Sequence, residues 1–433
     1  MNFLYLCVYG GICGTALGHV LLLLLNKFDN QSFISLMENC GLKNKLNHTP
    51  TIYKSMNKVY GKDLLIKCPM GIGFKDLLKN EDKIKTYYAA RMIQIEYMQK
   101  FVLLRIIDNI KCGYEFKPIN HKKNEIMLGF KINHKPMLIN TDENPHVLIS
   151  GFTGCGKSYL QYYILMNLIN NLSEKQLSLY LLQFSKNDYS ILGFSKVKQC
   201  KSYENTLNGI QIVLQKILNI KKYRETLLEE YEVTSIKEYN KIKGVTKQHK
   251  IYIFCEEFSF LEDVVSKDNK ETQEYIQTSI SDIIRTGRAF DIHVVMCLQR
   301  STADNINTTV KSQCLKISGY QNSELNSRIA VDSDICTLLS KENHEFACST
   351  NKDYEIFTPP VLNDNIIKNF TNNFKEDPVV DVEVKDTIQE CRKEMRYLTD
   401  EEVEEFKRKS KQKPIKADKV LDSTLIKFKE NKF

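Results

Sequence analysis

The sequence has 13 cysteines but no Cys-x-x-Cys pair. That removes the usual spacing of a structural zinc site, and the odd count argues against a disulfide framework. The thiols read as reduced, in a reducing compartment. There is no Gly-X-Y run, no Gln/Asn tract and no fixed-period repeat, so collagen-like and solenoid architectures are excluded. A concentrated basic-aromatic patch, the mark of many nucleic-acid surfaces, is also missing. Charge of one sign is scarce: 61 Lys+Arg against 53 Asp+Glu leave +8. This mild excess suits a polyanionic partner or an anionic membrane surface without choosing between them. With 42% hydrophobic and 26% charged residues, the 433-residue chain has globular composition. At roughly 100–200 residues per domain it has room for two or three.

What is present begins with an apolar stretch. Phe3 to Leu25 carry no formal charge and end in five leucines. As a helix the stretch is about 34 Å long, against a bilayer core of about 30 Å. A signal peptide would place basic residues ahead of it, and Met1-Asn2 supply none. A buried core helix would show a polar face. A single transmembrane helix within residues 1–27 is therefore expected, with the signal-like and core readings as its rivals. Lys27, Lys43 and Lys45 follow the stretch, so the expectation is a single-pass protein of the cell membrane with its bulk in the cytoplasm. Gly10, Gly14 and Gly18 share one helix face, where they either let spans pack closely or are ordinary span glycines.

Residues 28–140 read as a small α/β region. Strands are expected at Leu64 to Cys68, Ile93 to Tyr97 and Phe101 to Ile107, with helical periodicity over 74–90. Residues 141–362 alternate apolar strands with helical patterns, as βαβ units around a largely parallel sheet do. The clearest strands are His146 to Ser150, Leu177 to Gln183, Ile251 to Cys255 and Ile292 to Leu298. An amphipathic segment over 203–230 carries an apolar stripe of Leu207, Ile210, Leu214, Ile217 and Leu218. Residues 363–433 are rich in charge and poor in aromatics, and read as a partly helical or mobile tail or as a partner-binding segment.

The chemistry starts at Gly151-Phe152-Thr153-Gly154-Cys155-Gly156-Lys157-Ser158. This fits Gly-x-x-x-x-Gly-Lys-[Ser/Thr] between a strand and a helix, the context a phosphate loop requires. Its backbone N–H groups and the helix N-terminus suit phosphate oxygens. Lys157 would reach the β- and γ-phosphates of ATP and Ser158 would ligate Mg²⁺. The strand Tyr252 to Cys255 then ends in Glu256-Glu257, with Glu256 at the metal-side position and Glu257 at that of the catalytic base. Two solvated acids capping a strand are the bland alternative.

Three ordered blocks resemble the FtsK/SpoIIIE family of DNA-translocating ATPases. Leu128-Gly129, Pro136 and Asn144 to Ile149 lead into the phosphate loop. Ile284-Arg285-Thr286-Gly287-Arg288-Ala289-Phe290-Asp291-Ile292-His293 through Gln299-Arg300-Ser301 is similar to the family's Gly-Arg-Ala-x-Gly-Ile-His and Thr-Gln-Arg-Pro block. Ser327 to Ala330 and Leu338-Leu339 echo the next. The likeness spans about 125–362. Where the family has Asp before Glu, this chain has Glu256; Asp291 replaces a usual glycine, Leu298 a threonine and Ser301 a proline. Phe184-Ser185-Lys186 stand where relatives have Asp-Pro-Lys.

The resemblance implies a RecA-like P-loop NTPase motor, working as a homohexameric ring that hydrolyses ATP and grips DNA without sequence preference. It implies Gln299 as a γ-phosphate sensor, or else a strand-end amide. Arg285 and Arg288 are implied as fingers reaching a neighbour's ATP, or else solvated helix arginines, with Arg328 a weaker third. Residues 363–433 hold too few apolar side chains for the winged-helix DNA reader of larger members. The combination resembles the coupling-type ATPases of conjugative elements in Gram-positive bacteria, which implies relaxase and transfer-channel partners. A role in chromosome or plasmid segregation and an ATP-binding scaffold for relaxase or secretion components are the alternatives.

Overall fold

A computed structural model of the chain describes residues 30–184, 188–256, 270–298, 311–350 and 354–375. The apolar stretch at 3–25, Glu257, Gln299 and the tail beyond 375 lie outside these. Among the described residues no helix is long and apolar enough to cross a membrane. The expected transmembrane helix is therefore not among the elements described.

The N-terminal part is a four-stranded antiparallel sheet of order β1-β2-β4-β3, made of Thr51–Lys58, Gly61–Lys67, Met92–Met98 (β3) and Phe101–Ile107 (β4). Alternate residues Ile93, Ile95, Leu104 and Ile106 face one side, where Phe33 and Met37 of the helix over 30–39, Leu77 and Ile84 cover them. The periodicity over 74–90 is split into Phe74–Leu78 and Glu81–Tyr88. β1 has no counterpart in the sequence expectations. It is an edge strand with Lys54, Ser55, Asn57 and Lys58 along it, so it lacks the alternation that betrays a half-buried strand.

The larger part is a ten-stranded sheet of order β6-β5-β14-β13-β12-β7-β11-β10-β8-β9. Its strands are Glu125–Lys131 (β5), Pro136–Asn140 (β6), His146–Ser150 (β7), Leu177–Gln183 (β8), Cys200–Glu204 (β9), Lys250–Glu256 (β10), Ile292–Cys297 (β11), Cys314–Ser318 (β12), Phe346–Ser349 (β13) and Tyr354–Thr358 (β14). From β12 to β9 the ladders are parallel. From β12 outward to β6 they are antiparallel. The expected largely parallel α/β sheet is present. Residues 125–140, grouped by sequence with the small region, form its antiparallel edge.

The parallel strands are continuous apolar runs because both faces are covered. Along β10, Tyr252 and Phe254 point to the core built on the helix Lys157–Asn171. Ile251, Ile253 and Cys255 point to the opposite core, against Leu207–Glu230 and Lys270–Thr286. The first of these last two helices starts at Thr206, whose hydroxyl accepts from Gly209 N, an ordinary N-cap. β11 separates the phosphate-loop strand β7 from the acid-bearing strand β10. The C-terminal ends of these strands, where the chain reverses its strand order, are where α/β sheets place ligands.

The two parts are fastened through an apolar cluster. Tyr60, Met92, Ile107 and Ile110 pack with Ala330, Val331, Ile335, Leu339 and Ile356. Beside it, Arg91 pairs with Glu345 across the junction.

Candidate nucleotide site

The loop Gly151 to Gly156 leaves the C-terminal end of β7 and closes on the N-terminus of Lys157–Asn171. Its glycines are dictated by conformation. Gly154 and Gly156 have φ of +83° and +95°, a region where a Cβ is strained. At Gly151 a Cβ would stand 2.6 Å from Cys155 Sγ. Cys155 is wholly buried beneath the loop, where burial pushes its thiol up despite Lys157 nearby. It acts as a packing residue. Phe152 N donates to Tyr320 O at 2.8 Å, tying the loop to the segment after β12. Lys157 Nζ donates to Gly151 O at 2.8 Å and Phe152 O at 3.3 Å, so its ammonium lies within the loop.

A cavity of about 380 Å³ opens over this loop, with Thr153, Gly154, Gly156, Lys157 and Ser158 on one side and Glu256, Cys297 and Leu298 on another. The structure thus brings the phosphate loop and the first acid of the Glu-Glu pair to one cavity. Glu256 is buried, and its Oε2 accepts from Gln183 Nε2 at 2.7 Å. The two face each other in the β8–β10 register. Gln183 Oε1 accepts from Tyr189 N at 3.2 Å, Tyr189 OH donates to Gln161 Oε1 at 2.7 Å, and Gln161 Nε2 donates to Cys255 O at 3.2 Å. This closed relay fixes the carboxylate at the strand end. Burial, then the charges of Glu256 and Asp188, push the Tyr162 phenol well above its ordinary range, so Tyr162 is a neutral donor to Asp188.

The hydroxyl of Ser158 and the carboxylate of Glu256 are hard oxygen ligands on one cavity. With phosphate oxygens and water they make a set that suits Mg²⁺, which takes one or two protein ligands at such sites. Among the described residues no group of three or more His, Cys, Asp or Glu could hold a metal by itself. Glu257 and Gln299 directly follow the described ends of β10 and of the β11 segment, and lie outside the described residues.

Arg285 and Arg288 are exposed and line a polar pocket with Asp142, Ser235 and Lys237 at the other end of β11. A six-residue strand, about 20 Å, separates them from their own phosphate loop. At that distance neither reaches a phosphate held by the same chain's loop. Arg328 is exposed too, but it already pairs with Asp334 at 2.8 Å and Glu324 at 3.4 Å.

Sequence reasoning passed over Gln183, Gln161 and Tyr189, which share no motif and meet only through the sheet register. It also passed over His344, which lines the cavity from the loop before β13, and Lys341, which lies over the Phe152 ring beside the phosphate loop.

Residues 117–265 match the family model described as FtsK/SpoIIIE family. The chain is 27% identical over 291 residues to the DNA translocase FtsK of Treponema pallidum, covering 61% of this chain and 34% of that protein. It is 23% identical over 271 residues to the DNA translocase FtsK of Helicobacter pylori, covering 62% and 30%. The chain thus spans about a third of the length of these relatives. Among solved structures, the pCW3 conjugation coupling protein TcpA with ATPγS aligns over 79% of this chain and 98% of its own, with a TM-score of 0.56 at 18% identity. EssC of Geobacillus thermodenitrificans (ATPases 2 and 3) aligns over 61% and 51%, with a TM-score of 0.51 at 16% identity. The likeness to FtsK/SpoIIIE is therefore present in sequence, and the fold is that of a P-loop ATPase.

Proposed function

We propose that this FtsK/SpoIIIE-like chain is an ATP-driven DNA translocase that works at the cell membrane as a homohexameric ring. Its most fitting role is the coupling ATPase of conjugative transfer, handing DNA from a relaxase to a transfer channel. The observation that carries the reading is the convergence of Lys157, Ser158 and Glu256 on one cavity beside the conformationally required glycines of the phosphate loop. The two FtsK relatives named above are DNA translocases; TcpA is a conjugation coupling protein. Segregation of a chromosome or plasmid uses the same motor chemistry and is the second reading.

Each residue has a task. The loop's N–H groups and the Lys157 ammonium neutralise the β- and γ-phosphates. Ser158 and Glu256 would hold Mg²⁺, which when bound offsets charge on those oxygens. Glu257 orients and polarises the attacking water. Gln299, which follows β11 in the sequence, would sense the γ-phosphate. Arg285 or Arg288 of one subunit offsets transition-state charge at its neighbour's site. The ring grips DNA by backbone phosphates through dispersed lysines.

Steady-state hydrolysis by the full chain tests the site. Lys157→Ala should lose nucleotide binding and turnover, whereas Glu257→Gln should keep ATP bound and lose turnover. Wild-type turnover in Glu257→Gln would move the base to another residue, Glu256 first.

A further inference from the structure

The segment Ser340 to Glu345 runs from the buried Leu339 to the buried Phe346 that opens β13, and it touches two regions at once. His344 adopts φ +51° and lies against the phosphate loop, where a Cβ on Gly156 would stand 2.7 Å from its Nδ1. It lines the nucleotide cavity, and its buried Nδ1 has no hydrogen-bond partner among the described residues. Lys341 approaches Gly154 in the same way, its Cε 3.1 Å from the position of a Cβ there. Its ammonium sits 5.1 Å above the Phe152 ring and pairs with no carboxylate among the described residues. A cation thus lies beside the phosphate loop, and a ring with an unpartnered nitrogen packs on the loop at the edge of the nucleotide cavity.

The other end of the segment is anchored to the small domain. Glu345 is fully buried. It accepts from Ser340 N at 2.7 Å and from both terminal nitrogens of Arg91 at 2.8 and 2.5 Å. Arg91 also donates to Leu338 O at 3.4 Å and immediately precedes β3. Such a two-pronged pair fixes direction as well as distance. Six residues between two buried anchors leave little slack, so a displacement at His344 is taken up at Glu345.

We propose that residues 340–345 read the bound nucleotide in cis, Lys341 and His344 contacting its polyphosphate and the Glu345–Arg91 pair passing the segment's position to the four-stranded sheet. This rests on the reading that a nucleoside triphosphate occupies the phosphate loop. Lys341 and His344 are binding residues in this scheme, and Arg91 is a positioning residue.

The test uses the full chain in mild detergent, with ATPγS as the probe. Lys341→Ala and His344→Ala should each weaken ATPγS binding about tenfold, the loss expected for a hydrogen bond to a charged group. Saturating ATPγS should slow amide exchange over residues 92–98 in the wild type and leave it unchanged in the Lys341→Ala/His344→Ala double variant. Arg91→Lys should keep part of that protection and Arg91→Met none. Because Arg91→Met strips a buried carboxylate of its partner, the loop variants, which leave that pair intact, carry the decision. Unchanged affinity in both loop variants, alongside lost binding in Lys157→Ala, would overturn the proposal while leaving the phosphate-loop reading in place. Protection that persists in the saturated double variant would overturn it too. Equal ATPγS binding by wild type and Lys157→Ala would overturn the phosphate-loop reading, and this proposal with it.

Discussion

Asp291 shows how a departure from a family pattern resolves at the level of one side chain. It stands where the FtsK/SpoIIIE block has glycine, and its φ is +53°, a conformation that glycine enters freely and aspartate more readily than most residues. Its carboxylate lies 2.8 Å from Lys250 Nζ and 2.9 Å from His293 Nε2. Burial pushes the carboxyl up, but the His293 hydrogen bond and the Lys250 charge outweigh it and hold it well below the usual range. Gly287, four residues earlier, has no such latitude. A Cβ there would stand 2.5 Å from Ile283 O and 2.7 Å from Ile292 O, both backbone atoms that cannot swing away. Gly287→Ala should therefore cost about 1–3 kcal/mol by thermal unfolding; an unshifted melting temperature would mean that the turn relaxes. The glycine could be read from the sequence as part of a block. The contact of Asp291 and His293 with Lys250 could not, because Lys250 opens β10 and only the parallel β10–β11 register brings it beside the start of β11.

At the scale of elements, the N-terminal edge of the parallel sheet carries buried titratable groups. His146 opens β7, and its Nδ1 accepts from Val294 N at 3.1 Å. Burial pushes it down to about 3, so the folded chain keeps it neutral where the unfolded chain takes up a proton, below about pH 6.5. The unfolded state then binds more protons, and stability falls as pH drops from about 6.5 towards 3. Asp291 adds a loss in the same direction, beginning below about pH 4, as its depressed carboxyl is protonated first in the unfolded chain. Melting temperatures at pH 7.5, 6 and 5 should decline, and His146→Gln should flatten that decline. An identical slope in the variant would assign it to His249 and His293, which burial also holds down. Elements with strong periodicity or long apolar runs were legible: β2, β3, β4, β7, β8, β10, β11 and the helix Leu207–Glu230. The edge strand β1 was not, being partly polar. Nor was the attachment of β5 to β14, since an antiparallel partner so distant in the chain leaves no local mark.

For the whole molecule, Arg285 and Arg288 lie about one strand length from their own phosphate loop, so the role proposed for them requires a second subunit. An inactive Arg285→Ala/Arg288→Ala chain mixed with an inactive Lys157→Ala chain should regain turnover, because some interfaces pair an intact loop with intact arginines. No recovery at any ratio, in oligomers shown to be mixed, would remove both arginines from the neighbour's site. The phosphate loop was legible because its chemistry is contiguous. The relay Gln183–Glu256 and the placement of Lys341 and His344 beside the phosphate loop were not, because each depends on long-range packing.

The central claim is that ATP hydrolysis is coupled to DNA gripped by its backbone. The most direct measurement is the ATPase rate of the oligomeric full chain against DNA concentration at several salt levels, with random-sequence duplex and single strands. The account predicts stimulation without sequence preference. It also predicts that the apparent affinity falls with salt, with a slope of about 0.9 per phosphate neutralised on duplex or about 0.7 on single strands. A rate indifferent to both nucleic acids would contradict it and favour an ATP-binding scaffold that answers to a protein partner.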